Sequence, residues 1–205
     1  LEVSMIRHPV LSDLPYLYHI CNATGDRGQD ASALMGDPSL LGHLFVAPYV
    51  VHAPDWCWVV VDRGRPLGYL VSTPDTAEFY RWLEASWLGP VRVGCGPGAP
   101  APRSDYEQLI RGMVLGPQEP PPVADRYPAH IHIDLLPEGQ HRGLGKALFE
   151  TFHDAVRRHR VPGVHIGVVN ENTKAQAFYQ KLGYQPVQTQ PWGLYFARDL
   201  ASLTP

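Results

Sequence analysis

An α/β fold is predicted by three observations. From residue 129 the chain runs strand, helix, strand, helix, an order that joins two neighbouring parallel strands through a right-handed crossover. Two further strand pairs, one on each side of that unit, have alternating or apolar runs separated by short turns. In PEGQHRGLGKALFETF, residues 137–152, two glycines two residues apart stand where the first strand gives way to the helix, the end at which open α/β sheets take ligands.

The elements follow in chain order. VSMIRH reads as a strand, and SDLPYLYHIC as a helix capped by Ser12 with Pro15 in its first turn. Asp37 and Pro38 open a helical stretch, PSLLGHLFVAPYVV. WCWVVVD and PLGYLVST flank the short turn Arg63-Gly64-Arg65 as an antiparallel hairpin. Thr73 and Pro74 start a helix whose apolar side carries Phe79, Trp82, Leu83 and Trp87. Glycine and proline then make residues 88–103 an internal loop. Ser104 and Glu107 have capping-box spacing at the head of SDYEQLIRGMVLG, and a second proline-rich loop covers residues 116–128.

AHIHIDLL alternates, with Ile131, Ile133 and Leu135 on one face and His130, His132 and Asp134 on the other. After the glycines, Leu144, Leu148, Phe152 and Val156 recur every four residues, an amphipathic helix running to about residue 160. GVHIGVV is the second strand. Asn172 caps a helix with Ala175, Phe178, Tyr179 and Leu182 on one face and Gly183 at its end; YQPVQTQ and WGLYFAR close the chain as a strand pair.

Length and composition limit the function. At 205 residues the chain fits one domain, 1–205, better than two. Seventeen basic against twenty acidic residues give a net charge of −3, so no global basic field speaks for nucleic acid. Cys21, Cys57 and Cys95 lie far apart without CxxC spacing, which points to a reducing cytoplasm and away from disulfides or a cysteine-rich zinc site. No apolar run reaches the ~18–20 residues of a membrane span, and no secretory leader opens the chain. Because it begins at Leu1, the first residues read as foreign to the natural chain or the whole as a fragment, with Met5 a candidate start.

The glycine turn permits two readings, an anion held by N–H groups at a helix start or tight helix–strand packing. A nucleotide P-loop does not fit, since Ala147 follows Lys146 and Gln140 stands in the first glycine's place; Leu148 likewise breaks a dinucleotide fingerprint. Gln140-His141-Arg142-Gly143-Leu144-Gly145, followed about thirty residues later by NENTKAQAFYQKLGY, resembles the Gcn5-related N-acetyltransferases, the GNAT superfamily. Within it, YPAHIHIDLLPEGQHRGLGK, PGVHIGVVNENTKAQAFYQKLGY and an aromatic helix ending in WLGPVR are similar to the acetyltransferase-like C-terminal domain of O-GlcNAcase and its bacterial homologues.

This resemblance implies a mixed, mostly antiparallel sheet with helices on both faces and a parallel pair that splays where acyl-CoA binds. It implies acetyl-CoA as co-substrate, no metal, and an amine acceptor, either a small molecule or a protein lysine. It places the pantetheine arm along Ile133, Leu135 and Leu136, and the pyrophosphate on Gln140, His141, Arg142, Gly143, Leu144, Gly145 and Lys146. Asn172 and Phe178 border the arm, and Tyr179 protonates the departing thiolate. The glutamate of many relatives has no counterpart in residues 129–132, so Asp134 is the candidate base, with a neutral histidine or a bound water as alternatives. Two rivals stand beside this reading. One is a domain that binds acetyl-CoA without efficient chemistry and docks a partner through the Trp82 and Trp87 region; the other is a metal hydrolase using His130, His132 and Asp134.

Overall fold

The computed structural model describes residues 5–200; Val3 and Ser4, read with the first strand, lie outside them. Seven strands form one sheet in the order β1-β2-β3-β4-β5-β7-β6, and every neighbouring pair is antiparallel except β4 with β5. The strands are β1 (Met5–Arg7), β2 (Trp58–Asp62), β3 (Arg65–Thr73), β4 (Ala129–Leu135), β5 (Gly163–Val169), β6 (Gln185–Gln190) and β7 (Gly193–Asp199). The mixed sheet with its predicted parallel pair is therefore present.

Strand alternation divides the core in two. Val59, Val61, Tyr69 and Val71 meet α1 (Leu14–Thr24), α2 (Leu40–Phe45), α3 (Ala47–His52) and α4 (Thr76–Trp82) on one face. On the other, Val60, Leu70, Ile131, Val164, Ile166 and Phe196 bury Leu148, Phe149, Phe152 and Val156 of α7 (Leu144–Arg158) and Tyr179 of α8 (Thr173–Lys181). Fully burying one such large side chain contributes about 1.5–3 kcal/mol, so these stripes fix the helices to the sheet.

Four local expectations are corrected. Ser12 does not cap α1; it lies in a 3₁₀ turn, Leu11–Asp13, whose Asp13 carboxylate accepts the Val10 N–H at 2.9 Å and both Arg7 nitrogens at 2.6 and 2.9 Å. The stretch after Pro38 breaks into α2 and α3 at Val46, because Pro48 has no N–H to return to residue 44. Asp75, not Thr73 or Pro74, caps α4, accepting the Glu78 N–H at 2.9 Å. Finally, half of the predicted loop 88–103 is helix: α5 (Leu88–Cys95) continues α4 through a π-helical turn, Leu83–Trp87. Pro90 follows that π-helical turn, and Arg92 pins the helix by a two-pronged bond to Glu84, 2.7 Å on each side.

The hairpin turn needs only Arg63 and Gly64, both left-handed (φ 49° and 77°), and Arg65 already pairs with Asp62. Ser104 caps α6 (Asp105–Leu115) as expected, through the Glu107 N–H at 3.1 Å. The second loop holds only a 3₁₀ turn, Pro122–Asp125.

Candidate active site at the splayed strands

The parallel ladder between β4 and β5 is two residues long, Ala129 opposite Val164 and His130 opposite His165. Beyond it, β4 follows β3 as far as Leu135 while β5 follows β7 to Val169, so the two strands part and leave backbone polar groups without a ladder partner between them. Ile133, Leu135 and Leu136 lie at this opening. The Leu135 carbonyl accepts the Gln140 side-chain amide at 3.0 Å, which ties the loop to the strand end.

The two glycines differ in their surroundings. Gly143 has φ 77°, a conformation that disfavours side chains, and a Cβ there would meet nothing within 4 Å. Gly145 is a packing glycine: a Cβ would lie 3.2 Å from Leu135 and 3.3 Å from the Phe178 ring. The Ala147 N–H is bonded to the Gly143 carbonyl at 3.0 Å, so the N–H groups of Leu144, Gly145 and Lys146 are the helix-start donors ahead of it. A backbone cradle open on the Gly143 side fits an anionic group such as a pyrophosphate. The Arg142 side chain bonds the Asp62 carboxylate at 3.0 Å, and Lys146 lies 3.5 Å from Glu150; His141 is exposed at φ 58°.

Across the opening, Asn172 caps α8 by accepting the Ala175 N–H at 3.1 Å. Phe178 packs on Phe149, and the Tyr179 ring, 8% exposed, lies among Phe149, Tyr184 and Phe196. Burial, reinforced by the Asp134 carboxylate, pushes the Tyr179 phenol well above its ordinary range, so it keeps its proton at neutral pH. Asp134 thus senses Tyr179 although the two stand on different elements.

Asp134 accepts the Tyr69 hydroxyl at 2.5 Å. Burial raises its carboxyl to about 6, against the opposing hydrogen bonds of Tyr69 and Thr24. The buried Cys21 thiol completes this group beside Tyr69. On the same strand face, His130 contacts Tyr49 Oη through Nε2 at 2.7 Å and Thr76 Oγ1 through Nδ1 at 2.7 Å. With both nitrogens committed, His130 has none to offer a metal, and among the described residues no cluster of His, Cys, Asp or Glu is arranged to hold one. Sequence reasoning missed Tyr49, Tyr69 and Thr76. Tyr69 shows only as one more apolar residue of a buried strand, and its phenol was the available signal.

The parallel strands thus part beside a left-handed helix start, with Tyr179 and Asp134 close enough for the carboxylate to act on the phenol. The profile of the acetyltransferase (GNAT) domain matches residues 107–186. The crystal structure of SsHAT is similar at 34% identity and a TM-score of 0.84, covering 97% of this chain and 99% of that one. The chain belongs to the GNAT acetyltransferase family. Protein O-GlcNAcase of Rattus norvegicus and of Mus musculus are each 21% identical over 184 residues, 89% of this chain; the chain spans 20% of their length. A polyamine N-acetyltransferase of Drosophila melanogaster has the same fold at 14% identity, with a TM-score of 0.58 over 96% of this chain and 100% of that one.

Proposed function

We propose that the protein is an acetyl-CoA-dependent N-acetyltransferase that delivers the acetyl group to the amine of a small molecule or a protein lysine. The observation that carries this reading is the parting of β4 from β5 together with the open, left-handed Gly143 at the start of the helix that follows β4. In this reading the backbone of β4 at Ile133, Leu135 and Leu136 holds the pantetheine arm, and residues 140–146 hold the pyrophosphate through their N–H groups. Asn172 and Phe178 flank the arm. The amine nitrogen attacks the thioester carbonyl, its proton leaves on the polar face of β4 to Asp134, a neutral histidine or a bound water, and Tyr179 protonates the departing sulfur. Proximity and timed proton movement supply the rate. We place the protein in the cytoplasm as a single domain that works without a metal. Its three cysteines are free, and no helix among the described residues is long and apolar enough to cross a membrane.

The test is CoA release from acetyl-CoA across a panel of alkylamines and lysine peptides, with Tyr179→Phe beside the wild type. We expect an acceptor in the panel. The variant should bind acetyl-CoA within a few-fold of wild type yet turn over roughly 10- to 100-fold more slowly, as for a lost general acid. An unchanged rate makes Tyr179 a core residue only. Tight binding with no acceptor above spontaneous hydrolysis makes the domain a sensor or docking module.

A further inference from the structure

The hydrogen bonds around β4 can be directed one after another from a single carbonyl. Thr76 Oγ1 lies 2.6 Å from the Pro128 carbonyl, which only accepts, so the threonine's one hydroxyl proton points there. Thr76 Oγ1 must then accept from His130 at 2.7 Å, which puts a proton on His130 Nδ1. His130 is 6% exposed, and burial among neighbouring histidines holds its pKa far below the ordinary value, so it is neutral and its Nε2 is bare. That nitrogen accepts the Tyr49 hydroxyl at 2.7 Å. Tyr49 has spent its only proton, so its contact with His132 Nε2 at 3.1 Å is donated by the histidine. The neutral His132 ring therefore carries its lone pair on Nδ1. No group among the described residues bonds that nitrogen, and His132 is only part-buried.

We infer that His132 Nδ1 takes the proton of the acceptor amine, and that Tyr49, His130 and Thr76 are positioning residues that hold His132 in the competent tautomer. This rests on the transfer reading above and names the base within it. His132 stands two residues from Asp134 on the same strand face, beside the opening. The C–N bond forms as an N–H bond breaks to His132 Nδ1; the C–S bond breaks as Tyr179 gives its proton to sulfur. The proton on His132 then returns the phenolate to phenol through solvent, so the net change is one proton moved from nitrogen to sulfur.

Protonation at Nδ1 leaves every bond of the chain pointing the same way, so no reorganisation opposes it. The groups that face His132 are Tyr49 of α3, Phe45 of α2, His130 and Asp134 of its own strand, and His165 of β5, whose Nδ1–H is held by the Tyr127 carbonyl at 2.6 Å. Burial, with His165 adding to it, lowers the His132 pKa to about 4, so the base is unprotonated across the neutral range. Such a weak base suffices because the attacking nitrogen becomes far more acidic as it bonds to carbon.

The test has two arms. Histidine ¹⁵N spectra of the whole chain, assigned with His132→Gln, should show His132 as the neutral Nε2–H form from pH 6 to 8, and Tyr49→Phe should release that preference. An Nδ1–H ring or an imidazolium at pH 7 overturns the proposal. In the CoA-release assay, His132→Gln keeps a donor for Tyr49 and loses the base. It should lower kcat on the order of 100-fold with acetyl-CoA affinity kept. Wild-type kcat in the variant, or a rising kcat limb near pH 6 that vanishes in Asp134→Asn, gives the base role to another group and overturns it. Failure of the transfer reading looks different, as an unaltered His132 spectrum with no amine releasing CoA from the wild type, and it removes the base role as well.

Discussion

Asp134 keeps a carboxylate where the fold disfavours its charge. Its pKa is about 6 in the native protein, against about 4 in an unfolded chain. Between those values the native state holds the proton and the unfolded state does not, so this group makes stability fall as pH rises from about 4 to about 6, and the loss persists above. The buried histidines His130, His132, His153 and His165 act in the opposite sense, since their lowered pKa values withdraw stability as pH falls below about 6.5. Comparison with a variant isolates Asp134. Asp134→Asn keeps an acceptor for Tyr69 and removes the charge. We therefore expect a higher Tm at pH 7.5, about 2–4 °C for each kcal/mol regained, and no gain near pH 4. A lower Tm at pH 7.5 would show that the charged hydrogen bond outweighs the burial. The alternation of His130, His132 and Asp134 was legible because it is local. Their partners were not, because Tyr49, Tyr69 and Thr76 come from 83, 65 and 54 residues away in sequence.

At the scale of elements, local chemistry foretold two helix starts, at Ser104 and Asn172, but not what the side chains then do. The Ser104 cap was legible; the use of Glu107 was not. Its carboxylate turns inward, fully buried, and accepts the Gly36 N–H at 2.6 Å, the Arg103 N–H at 2.8 Å and the Arg111 guanidinium at 2.6 Å. Burial alone would raise its pKa, but those backbone and guanidinium donors together hold it below the ordinary value. Glu107 thus joins α6 to the segment before α2. Glu107→Ala would orphan two backbone donors and leave Arg111, itself buried, without its partner, a loss of about 3–5 kcal/mol in urea denaturation. Ser104→Ala should cost only about 1 kcal/mol. Equal losses would make the carboxylate an ordinary cap contact. The misreading of residues 88–103 has a related cause: glycine and proline in a helix's first turn look like loop, and the Arg92–Glu84 pair that overrides them is a tertiary contact.

For the whole molecule, the crossover from β4 through α7 to β5 was readable from order and periodicity, and it carries the candidate site. The mostly antiparallel character of the rest of the sheet came from family resemblance and not from periodicity, because β1 pairs with β2 across fifty intervening residues. In the proposed function acetyl-CoA enters where β4 and β5 part and rests its pyrophosphate on the helix start at Gly143. Calorimetric titration with acetyl-CoA tests this most directly, comparing the wild type with Gly143→Glu, which sets a carboxylate in the open space of the cradle. Gly28→Glu, at φ 86° with equally open surroundings, controls for the strain of a side chain in a left-handed position. One equivalent should bind to the wild type and to Gly28→Glu, and no binding heat should appear with Gly143→Glu. Unchanged affinity in Gly143→Glu would contradict the account.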